Sequence, residues 1–258
     1  CYKVSPAIFK ELGAEVILIG VDQDGFNINQ GCGSTHPELL QDEVIKHRAD
    51  YGVALDGDGD RVILVDSDGN ILDGDDLLYI MAFSNPNRAG PWGGVVGTKM
   101  SNFGLEDGLK KLGYKFIRAD VGDKYVSQKL SEKGWLLGGE TSGHIISKDL
   151  VSTGDGTIAA LKVISSLMIL EKTPSEVLSN YNKRPQINIA VPVKNKDVIN
   201  DSSIQSAISD AQSDITVDRV LVRPSGTESK IRVMVEATDE NTAKKYAKDL
   251  SKLIESKL

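Results

Sequence analysis

The sequence predicts a multi-domain α/β protein that ends in a small α+β domain. Short apolar runs alternate with stretches of helical periodicity as far as residue 171, and this alternation is typical of α/β domains. After Pro185 the pattern changes to strands of alternating polarity around single helices. A chain of 258 residues is also long enough for more than one domain. We therefore expect three units, at residues 1–72, 73–185 and 186–258.

Local signals place the elements of the first two units. Ser5 and Pro6 predict the start of a helix, because serine caps helix ends and proline fits the first turn. Residues 16–19 are uniformly apolar and are predicted to form a buried strand. Further helices are predicted at residues 37–47, 75–83, 102–112, 124–132 and 157–171, and further strands at 51–55, 94–97 and 115–119, with a hairpin turn at 68–70.

The third unit follows a predicted linker. Two prolines, Pro174 and Pro185, mark the segment that leaves the long helix, and proline is poorly tolerated inside regular structure. Beyond this segment the predicted order is a strand at 187–193, a helix at 203–212, strands at 219–222 and 230–237, and a terminal helix from Thr242.

Composition and charge exclude two classes of partner. Acidic residues outnumber basic ones by 37 to 30, and no long basic run offers a grip on a nucleic-acid backbone. The most apolar stretch, residues 158–170, contains Lys162 and is shorter than the ~20 residues of a membrane span. Two cysteines cannot form a disulfide framework, which favours a cytoplasmic setting. Because the chain opens without a signal peptide or an initiator methionine, we expect it to be part of a longer protein.

The strongest local signal is an acidic loop at residues 56–61. Asp56, Asp58 and Asp60 alternate with glycines directly after a predicted strand, so the three carboxylates can face one point. Their mutual repulsion favours a divalent cation with oxygen ligands. A calcium-binding EF-hand is excluded because Arg61 and Ser67 occupy the positions that need glycine and glutamate. An acidic surface turn stays open as the alternative.

A second signal is the glycine-rich stretch at residues 138–144. Glu140, Ser142 and His144 supply a carboxylate, a hydroxyl and an imidazole on a backbone that permits close approach. This set suits a polyhydroxylated ligand. A glycine-rich turn with a solvated glutamate and a core histidine would look the same, so both interpretations stay open.

A third signal lies between two predicted strands at residues 223–230. Its guanidinium, hydroxyls and successive backbone N–H groups are the components of a phosphate cradle. It is not a Walker loop, because no Gly-Lys-Ser/Thr ending is present, and a hairpin with exposed charges is the alternative. The residues concerned are Arg223, Ser225, Gly226, Thr227 and Lys230.

One further match is weak. Residues 154–159 fit the G-x-G-x-x-A dinucleotide fingerprint and open a predicted helix. The fingerprint needs a strand immediately before it, whereas residues 147–150 are polar. A nicotinamide-dependent oxidoreductase is therefore disfavoured.

Taken together, these segments resemble the α-D-phosphohexomutase superfamily, and within it the bacterial enzymes that act on glucosamine phosphates. The resemblance covers essentially the whole chain. It implies α/β units with mixed sheets followed by a small α+β C-terminal domain, and it assigns residues 1–72 to the end of a second domain. The supporting motifs are NIN, CGSTHPE, ALDGDGDRVILVD, GTKMSN, ADVGDKYV, GGETSGHII, TGDG and RPSGTESKIRVMVEA.

The resemblance also implies roles for individual residues. Three aspartates match magnesium ligands, and an arginine lies beside them in the active cleft. A glutamate and a serine match the loop that contacts sugar hydroxyls, and a histidine matches one that contacts substrate or assists proton transfer. A last group matches the loop that holds the phosphate that is not reacting. In the same order, these residues are Asp56, Asp58 and Asp60; Arg61; Glu140 and Ser142; His144; and Arg223, Ser225, Gly226 and Thr227.

The implied activity is the interconversion of glucosamine 6-phosphate and glucosamine 1-phosphate. In the superfamily this reaction proceeds through a phosphoserine enzyme and a bisphosphorylated sugar, with Mg²⁺ as cofactor, and it supplies UDP-N-acetylglucosamine for the cell wall. The implied partners are small sugar phosphates, and a homodimer stays open. Glucose or mannose phosphates as substrates, and a non-catalytic sugar-phosphate-binding fragment, are the alternatives.

Two departures from the superfamily pattern matter. In the superfamily, the nucleophilic serine lies in a Thr/Ser-Ala-Ser-His-Asn-Pro-like loop of the first domain. The chain contains no such loop, and residues 34–37 resemble it only superficially. We therefore expect this chain to be inactive alone. Ser229 also stands where the superfamily usually has proline, which loosens the turn without removing an anion donor.

Overall fold

The computed structural model describes residues 1–22, 24–226 and 228–257. It divides into two compact units, the first made of Cys1–Ser101 and Leu105–Asn182, the second of Asn102–Gly104 and Lys183–Leu258. The three-domain division at residues 72 and 185 stays a prediction. Within the described ranges, every helix is too short or too polar to span a bilayer.

The described elements alternate along most of the chain. The helices are α1 (Val4–Glu11), α2 (Glu38–His47), α3 (Gly74–Ser84), α4 (Phe103–Lys111), α5 (Asp123–Lys133), α6 (Gly156–Leu170), α7 (Pro174–Leu178), α8 (Ser202–Ser213) and α9 (Glu240–Glu255). The strands are β1 (Tyr51–Leu55), β2 (Val62–Asp66), β3 (Ile71–Leu72), β4 (Gly94–Thr98), β5 (Lys115–Ala119), β6 (Leu137–Gly139), β7 (Ile145–Ser147), β8 (Gln186–Pro192), β9 (Val217–Pro224) and β10 (Lys230–Ala237).

Two sheets build the first unit. Strands β1, β2 and β3 form an antiparallel sheet in that order. The other sheet has the order β5-β4-β6-β7 and is mixed, because β4 runs parallel to β5 and β6 while β7 runs antiparallel to β6. The fold class expected from the sequence, α/β with mixed sheets, is confirmed.

Helix α3 is the centre of the first unit's core. Leu77, Leu78 and Ile80 point in different directions from the helix axis and are all fully buried, so the helix is surrounded by packed elements. It packs against α6, whose residues Ala160 and Val163 belong to the same apolar cluster. A capping box starts α3: Asp73 accepts hydrogen bonds from the N–H groups of residues 75 and 76, and the Asp76 side chain accepts one from Asp73.

The second unit is a three-stranded antiparallel sheet covered by helices. Its strand order is β8-β10-β9, so the central strand β10 is buried along nearly its whole length. Helix α9 packs on β8 and β10 through Ala243, Ala247, Leu250 and Ile254, which recur every three or four residues. The small α+β domain expected at the end of the chain is confirmed.

Two predictions for the first twenty residues are wrong. Helix α1 begins at Val4, so Ser5 lies inside it, and the buried Ser5 hydroxyl is 2.7 Å from Oγ1 of Thr157. Residues 16–19 form no strand, and Ile17 and Leu18 are nearly half exposed. An apolar run becomes a strand only when a neighbour pairs with its backbone, and no described strand pairs with this one.

The predicted linker contains a helix that the sequence analysis missed. Helix α7 starts at Pro174 and is capped by Thr173, whose side chain accepts a hydrogen bond from the N–H of Glu176. The Glu176 carboxylate accepts one in return from the N–H of Thr173. Threonine followed three residues later by glutamate is a helix-start signal, and it was present in the sequence.

Asp214, just before β9, is a carboxylate that accepts three hydrogen bonds. Thr216 donates from its hydroxyl at 2.6 Å and from its backbone N–H at 2.9 Å, and the Tyr246 hydroxyl donates at 2.6 Å. These bonds favour the charged form and lower the pKa of Asp214 to about 2. The carboxylate thereby joins the start of β9 to α9.

We predict that Asp214→Asn destabilises the second unit in a pH-dependent way. A lowered pKa stabilises the fold above the unfolded-state value of about 4, and this contribution disappears as the pH falls to about 2. Calorimetry should show a lower unfolding temperature than the parent at pH 7 and a shrinking difference from pH 4 to pH 2. Asp210→Asn, an exposed residue with the same charge change, is the control. A pH-independent difference would contradict the prediction.

Candidate functional site

The acidic loop, residues 56–61, connects β1 to β2. Leu55 and Val62 face each other in the register, so the loop closes an antiparallel hairpin. Asp56 is 5% exposed, and its Oδ1 accepts hydrogen bonds at 3.1 Å from the N–H groups of both Gly59 and Arg61. The buried carboxylate therefore determines the curl of the loop.

The loop brings three carboxylates together. Oxygen atoms of Asp56, Asp58 and Asp60 all lie within 4.8 Å of one another. Burial, together with the neighbouring Asp56 carboxylate, raises the pKa of Asp60. Oδ1 of Asp60 is buried and has no hydrogen-bond partner among the described residues. Three close carboxylates with one unsatisfied oxygen are the donor set that a hard divalent cation prefers.

Arg61 balances part of this negative charge. Its Nε lies 2.5 Å from Oδ2 of Asp56 and 3.6 Å from Oδ1 of Asp60. Burial opposes ionisation of Asp56, but the backbone N–H and the guanidinium of Arg61 outweigh burial and lower the pKa of Asp56. Three carboxylates and one guanidinium leave a formal charge of −2, which equals the charge that one divalent cation neutralises.

The second predicted group lies in a tight turn between β6 and β7, residues 140–144, here called the Glu140 turn. The N–H of Glu140 donates to the carbonyl of His144, and the N–H of Gly143 donates to the carbonyl of Glu140. Oε1 of Glu140 accepts a hydrogen bond of 2.9 Å from the N–H of Gly122, the N-cap of α5. Gly122 has a φ of 126°, which glycine adopts without strain. Ser142 is exposed at the tip of the turn.

The acidic loop and the Glu140 turn are joined through their backbones. The N–H of Val62 donates to the carbonyl of Gly143 at 3.1 Å, and Arg61 forms a β-bridge with His144. A side chain at position 143 would lie 2.0 Å from the Val62 carbonyl oxygen, so only glycine permits this approach. The two groups that the sequence predicts separately therefore form one site.

A third loop supports both. The N–H of Gly156 donates to the carbonyl of Gly59 at 2.9 Å, and Gly154 forms a β-bridge with Ile146. Asp155, between the two glycines, accepts a hydrogen bond from the N–H of Ile158 and so caps α6. The G-x-G-x-x-A match is therefore a packing loop and a helix cap, separated from β7 by residues 148–153.

His144 lies between the acidic loop and this supporting loop. Its side chain is 5% exposed, and Nε2 lies 3.5 Å from Oδ2 of Asp60. The family resemblance implies contact of this side chain with substrate or a part in proton transfer, and that role stays a prediction. What the structure adds is that the ring is enclosed and faces a carboxylate.

The predicted phosphate cradle belongs to the second unit and connects β9 to β10. The N–H of Ser225 donates to the carbonyl of Lys230 at 2.8 Å, and the N–H of Glu228 donates to the buried hydroxyl of Ser225. Lys196 donates to the carbonyl of Ser225 at 2.6 Å. Thr227, predicted to belong to the same cradle, lies outside the described residues. Ser225 therefore shapes the loop as well as supplying a hydroxyl.

Positive side chains surround this loop. Arg223 on β9 is directly opposite Arg232 on β10, and Nε of Arg223 is buried without a hydrogen-bond partner among the described residues. Glu228 pairs with Lys230 at 2.6 Å and with Arg232 at 2.9 Å. A side chain at Gly226 would meet nothing within 4 Å, so space adjoins the loop there. An anion would satisfy the Arg223 guanidinium.

Comparison with known proteins identifies the family. Residues 73–184 match the sequence profile of the phosphoglucomutase/phosphomannomutase α/β/α domain III, and residues 187–253 match the profile of the C-terminal domain of the same proteins. The chain belongs to the phosphoglucomutase/phosphomannomutase family.

Curated relatives extend the match to the whole chain. The phosphoglucosamine mutase of Cellvibrio japonicus is 48% identical over 259 aligned positions that cover 100% of this chain and 58% of the relative. The phosphoglucosamine mutase of Alkalilimnicola ehrlichii is 49% identical over 93% of this chain and 53% of the relative. The chain thus spans little more than half the length of these relatives.

Solved structures of the family have the same fold. A phosphoglucomutase/phosphomannomutase family protein from Burkholderia thailandensis is 25% identical, with a TM-score of 0.74 over 98% of this chain and 57% of that one. The N-acetylphosphoglucosamine mutase of Aspergillus fumigatus, solved with GlcNAc-6P and magnesium, is 21% identical, with a TM-score of 0.69 over 88% of this chain and 57% of that one.

Two glycines with a part in the site were not assigned to it from the sequence. Gly122 supplies the backbone N–H that holds Glu140, and Gly154 lies against the ring of His144. Both stand in motifs that carried the family resemblance, ADVGDKYV and TGDG. Only the fold shows which side chain each glycine approaches.

Asp58→Asn is expected to separate metal binding from stability. The substitution removes one of three proposed ligands and also one of three mutually repelling charges. We predict an unchanged or slightly raised unfolding temperature without metal, and roughly tenfold weaker Mg²⁺ affinity by calorimetric titration. Asp68→Asn, at the exposed β2–β3 turn, is the charge-matched control. Unchanged Mg²⁺ affinity would mean that the acidic loop is a surface turn and not a metal site.

Asp155→Ala is expected to destabilise the first unit by about 1 kcal/mol, because it removes the cap of α6. Asp155→Ser keeps an oxygen that can accept from the N–H of Ile158, so it should retain most of the stability. Urea denaturation of the two variants measures the difference. Equal losses from alanine and serine would mean that the carboxylate acts through something other than the cap.

Proposed function

We propose that this chain carries the metal-binding, sugar-binding and one phosphate-binding part of a phosphoglucosamine mutase, which interconverts glucosamine 6-phosphate and glucosamine 1-phosphate. The observation that carries the proposal is the backbone junction of the acidic loop with the Glu140 turn, since it brings the three convergent carboxylates beside Glu140 and Ser142. The phosphoglucosamine mutases that match the whole chain at 48% and 43% identity support the choice of substrate. A cytoplasmic location is part of the proposal.

The acidic loop fits Mg²⁺. Its formal charge of −2, its three convergent carboxylates and the unsatisfied Oδ1 of Asp60 meet the requirements of a hard divalent ion. Asp56, Asp58 and Asp60 would hold the ion. When bound, Mg²⁺ supplies positive charge that offsets the charge developing on a transferring phosphoryl group.

The surrounding side chains bind and orient the substrate. Arg61, held by Asp56, keeps a fixed positive charge beside the reacting phosphate. Glu140 is anchored through Oε1 to the N–H of Gly122, so its other carboxylate oxygen accepts from a sugar hydroxyl. Ser142, exposed at the tip of the turn, contacts the same ring. A rigid anchor of this kind keeps the sugar aligned while a phosphate is transferred.

The loop at residues 223–227 binds the phosphate that is not reacting. Arg223 offers a guanidinium whose Nε lacks a partner among the described residues, and Gly226 adjoins open space. Ser225 accepts from the N–H of Glu228, which leaves its hydroxyl proton for an anion. Thr227 is assigned to this loop by sequence alone. A guanidinium with neighbouring hydroxyl and backbone donors is a common phosphate-binding set.

Sugar-phosphate binding, and not mutase activity, is the property to measure for this chain, because the phosphoserine loop of the superfamily is not found in its sequence. We predict saturable calorimetric binding of glucosamine 6-phosphate in the presence of Mg²⁺, stronger than that of glucose 6-phosphate or mannose 6-phosphate. Preference for glucose or mannose phosphate would point to the phosphoglucomutase or phosphomannomutase activities named by the family profiles. Failure of all three sugar phosphates to bind would contradict the proposal.

Arg223→Ala should weaken the binding of glucosamine 6-phosphate roughly tenfold or more, since a hydrogen bond to a charged group contributes about 1.5–3 kcal/mol. The same titration in the same buffer measures the change. Lys248→Ala removes one positive charge from the exposed face of α9 and serves as the matched control. Equal losses in both variants would assign the effect to net charge and remove the role of Arg223.

A further inference from the structure

The enclosure of His144 is not explained by contact with a substrate. The side chain is 5% exposed and Nε2 faces Oδ2 of Asp60 at 3.5 Å, while Nδ1 has no hydrogen-bond partner among the described residues. Its backbone is fixed on both sides, by the β-bridge to Arg61 and by the hydrogen bond from the N–H of Glu140 to its carbonyl. The ring is therefore held in one place, against a single carboxylate of the acidic loop.

We propose that His144 is a positioning residue for Asp60: its enclosed ring, with Nε2 3.5 Å from Oδ2, keeps the Asp60 carboxylate turned toward the other two aspartates, where it binds the cation. A carboxylate facing Nε2 favours the tautomer that carries the proton there. An Asp carboxylate without a fixed partner rotates and exchanges its two oxygens. Oδ1 is buried and accepts no hydrogen bond from the described residues, and Nε of Arg61 lies 3.6 Å from it. The inference rests on the proposed metal site and deepens it.

Gly154 is the second part of this arrangement. A Cβ at position 154 would lie 2.3, 2.5 and 2.7 Å from Nε2, Cε1 and Cδ2 of His144. These are ring atoms without flexible ends, so the ring would have to move. The β-bridge to Ile146 fixes the backbone of Gly154 beside β7, the strand that begins next to His144. The absence of a side chain at position 154 thus leaves the space in which the imidazole stays next to Asp60.

The positioning role predicts a different effect on metal affinity from a role in proton transfer or in filling space. Partners that orient a metal ligand typically change metal affinity by 10–100-fold when removed. A residue that only transfers protons leaves metal affinity unchanged. A residue that only fills space is replaced by an apolar side chain of similar volume without loss of affinity. Metal affinity in a set of substitutions therefore separates the three roles.

The experiment measures Mn²⁺ binding to the full 258-residue chain by electron paramagnetic resonance, because Mn²⁺ accepts the same oxygen ligands as Mg²⁺. His144→Leu fills the space without a donor, and His144→Gln keeps an N–H donor near the position of Nε2. We expect roughly tenfold weaker binding for His144→Leu and Gly154→Ala, and binding close to the parent for His144→Gln. Adding Gly154→Ala to His144→Leu should cost nothing further. Ser152→Ala, exposed in the same loop, is the control.

The outcomes divide clearly. Equal affinity of the parent, His144→Leu and Gly154→Ala would overturn the inference while the metal site itself stands. Equal losses in His144→Gln and His144→Leu would also overturn it, because the donor would then be irrelevant. A parent chain that binds no Mn²⁺ would overturn the metal site and the inference together. Circular dichroism confirms folding, and Gly154→Ala supplies an independent answer if His144→Leu does not fold.

Discussion

The repulsion among three carboxylates is the constraint on which the site of the first unit depends. Asp56, Asp58 and Asp60 come within 4.8 Å of one another, a distance at which like charges in a partly buried loop repel strongly. Part of the compensation is local, from the N–H groups that bind Asp56 and from Arg61. The loop is also held in place from elsewhere in the chain, because the loops at 140–144 and 154–156 pack against it through glycines.

Most of the secondary structure could be predicted because its signals are local. Strand β10 was placed to the residue, and α2, α3 and α6 to within one or two residues, from apolar periodicity and capping residues. The strand expected at 16–19 failed for a nonlocal reason. Its apolar composition is suitable, but strand formation requires a paired neighbour, and a sequence pattern does not show whether one is present. Ser5 failed similarly, since its partner Thr157 is distant in the chain.

The chemistry of the site was visible in the sequence, but its assembly was not. The donor groups can be recognised directly in the sequence. They are the carboxylates at every second position of the acidic loop, and Glu140 and His144 in the glycine-rich stretch. The contact of His144 with Asp60 follows from the hairpin β1–β2 meeting the turn β6–β7, and the anchoring of Glu140 follows from the same turn meeting Gly122 at the start of α5. The three-domain boundaries remain predictions. The individual roles of the site residues are also predictions, and binding measurements can decide these roles.

In the proposed function, the metal site and the nucleophile are separable. A cluster with a formal charge of −2 favours a divalent cation whether or not a further ligand is supplied, so the proposed metal site does not depend on a ligand beyond the three aspartates. A phosphoserine would add negative charge and a further oxygen ligand, which raises affinity without creating the site. The Glu140 anchor and the His144 contact are likewise complete within the first unit. The positions of the loops in the site are therefore fixed by backbone hydrogen bonds and β-bridges within this chain.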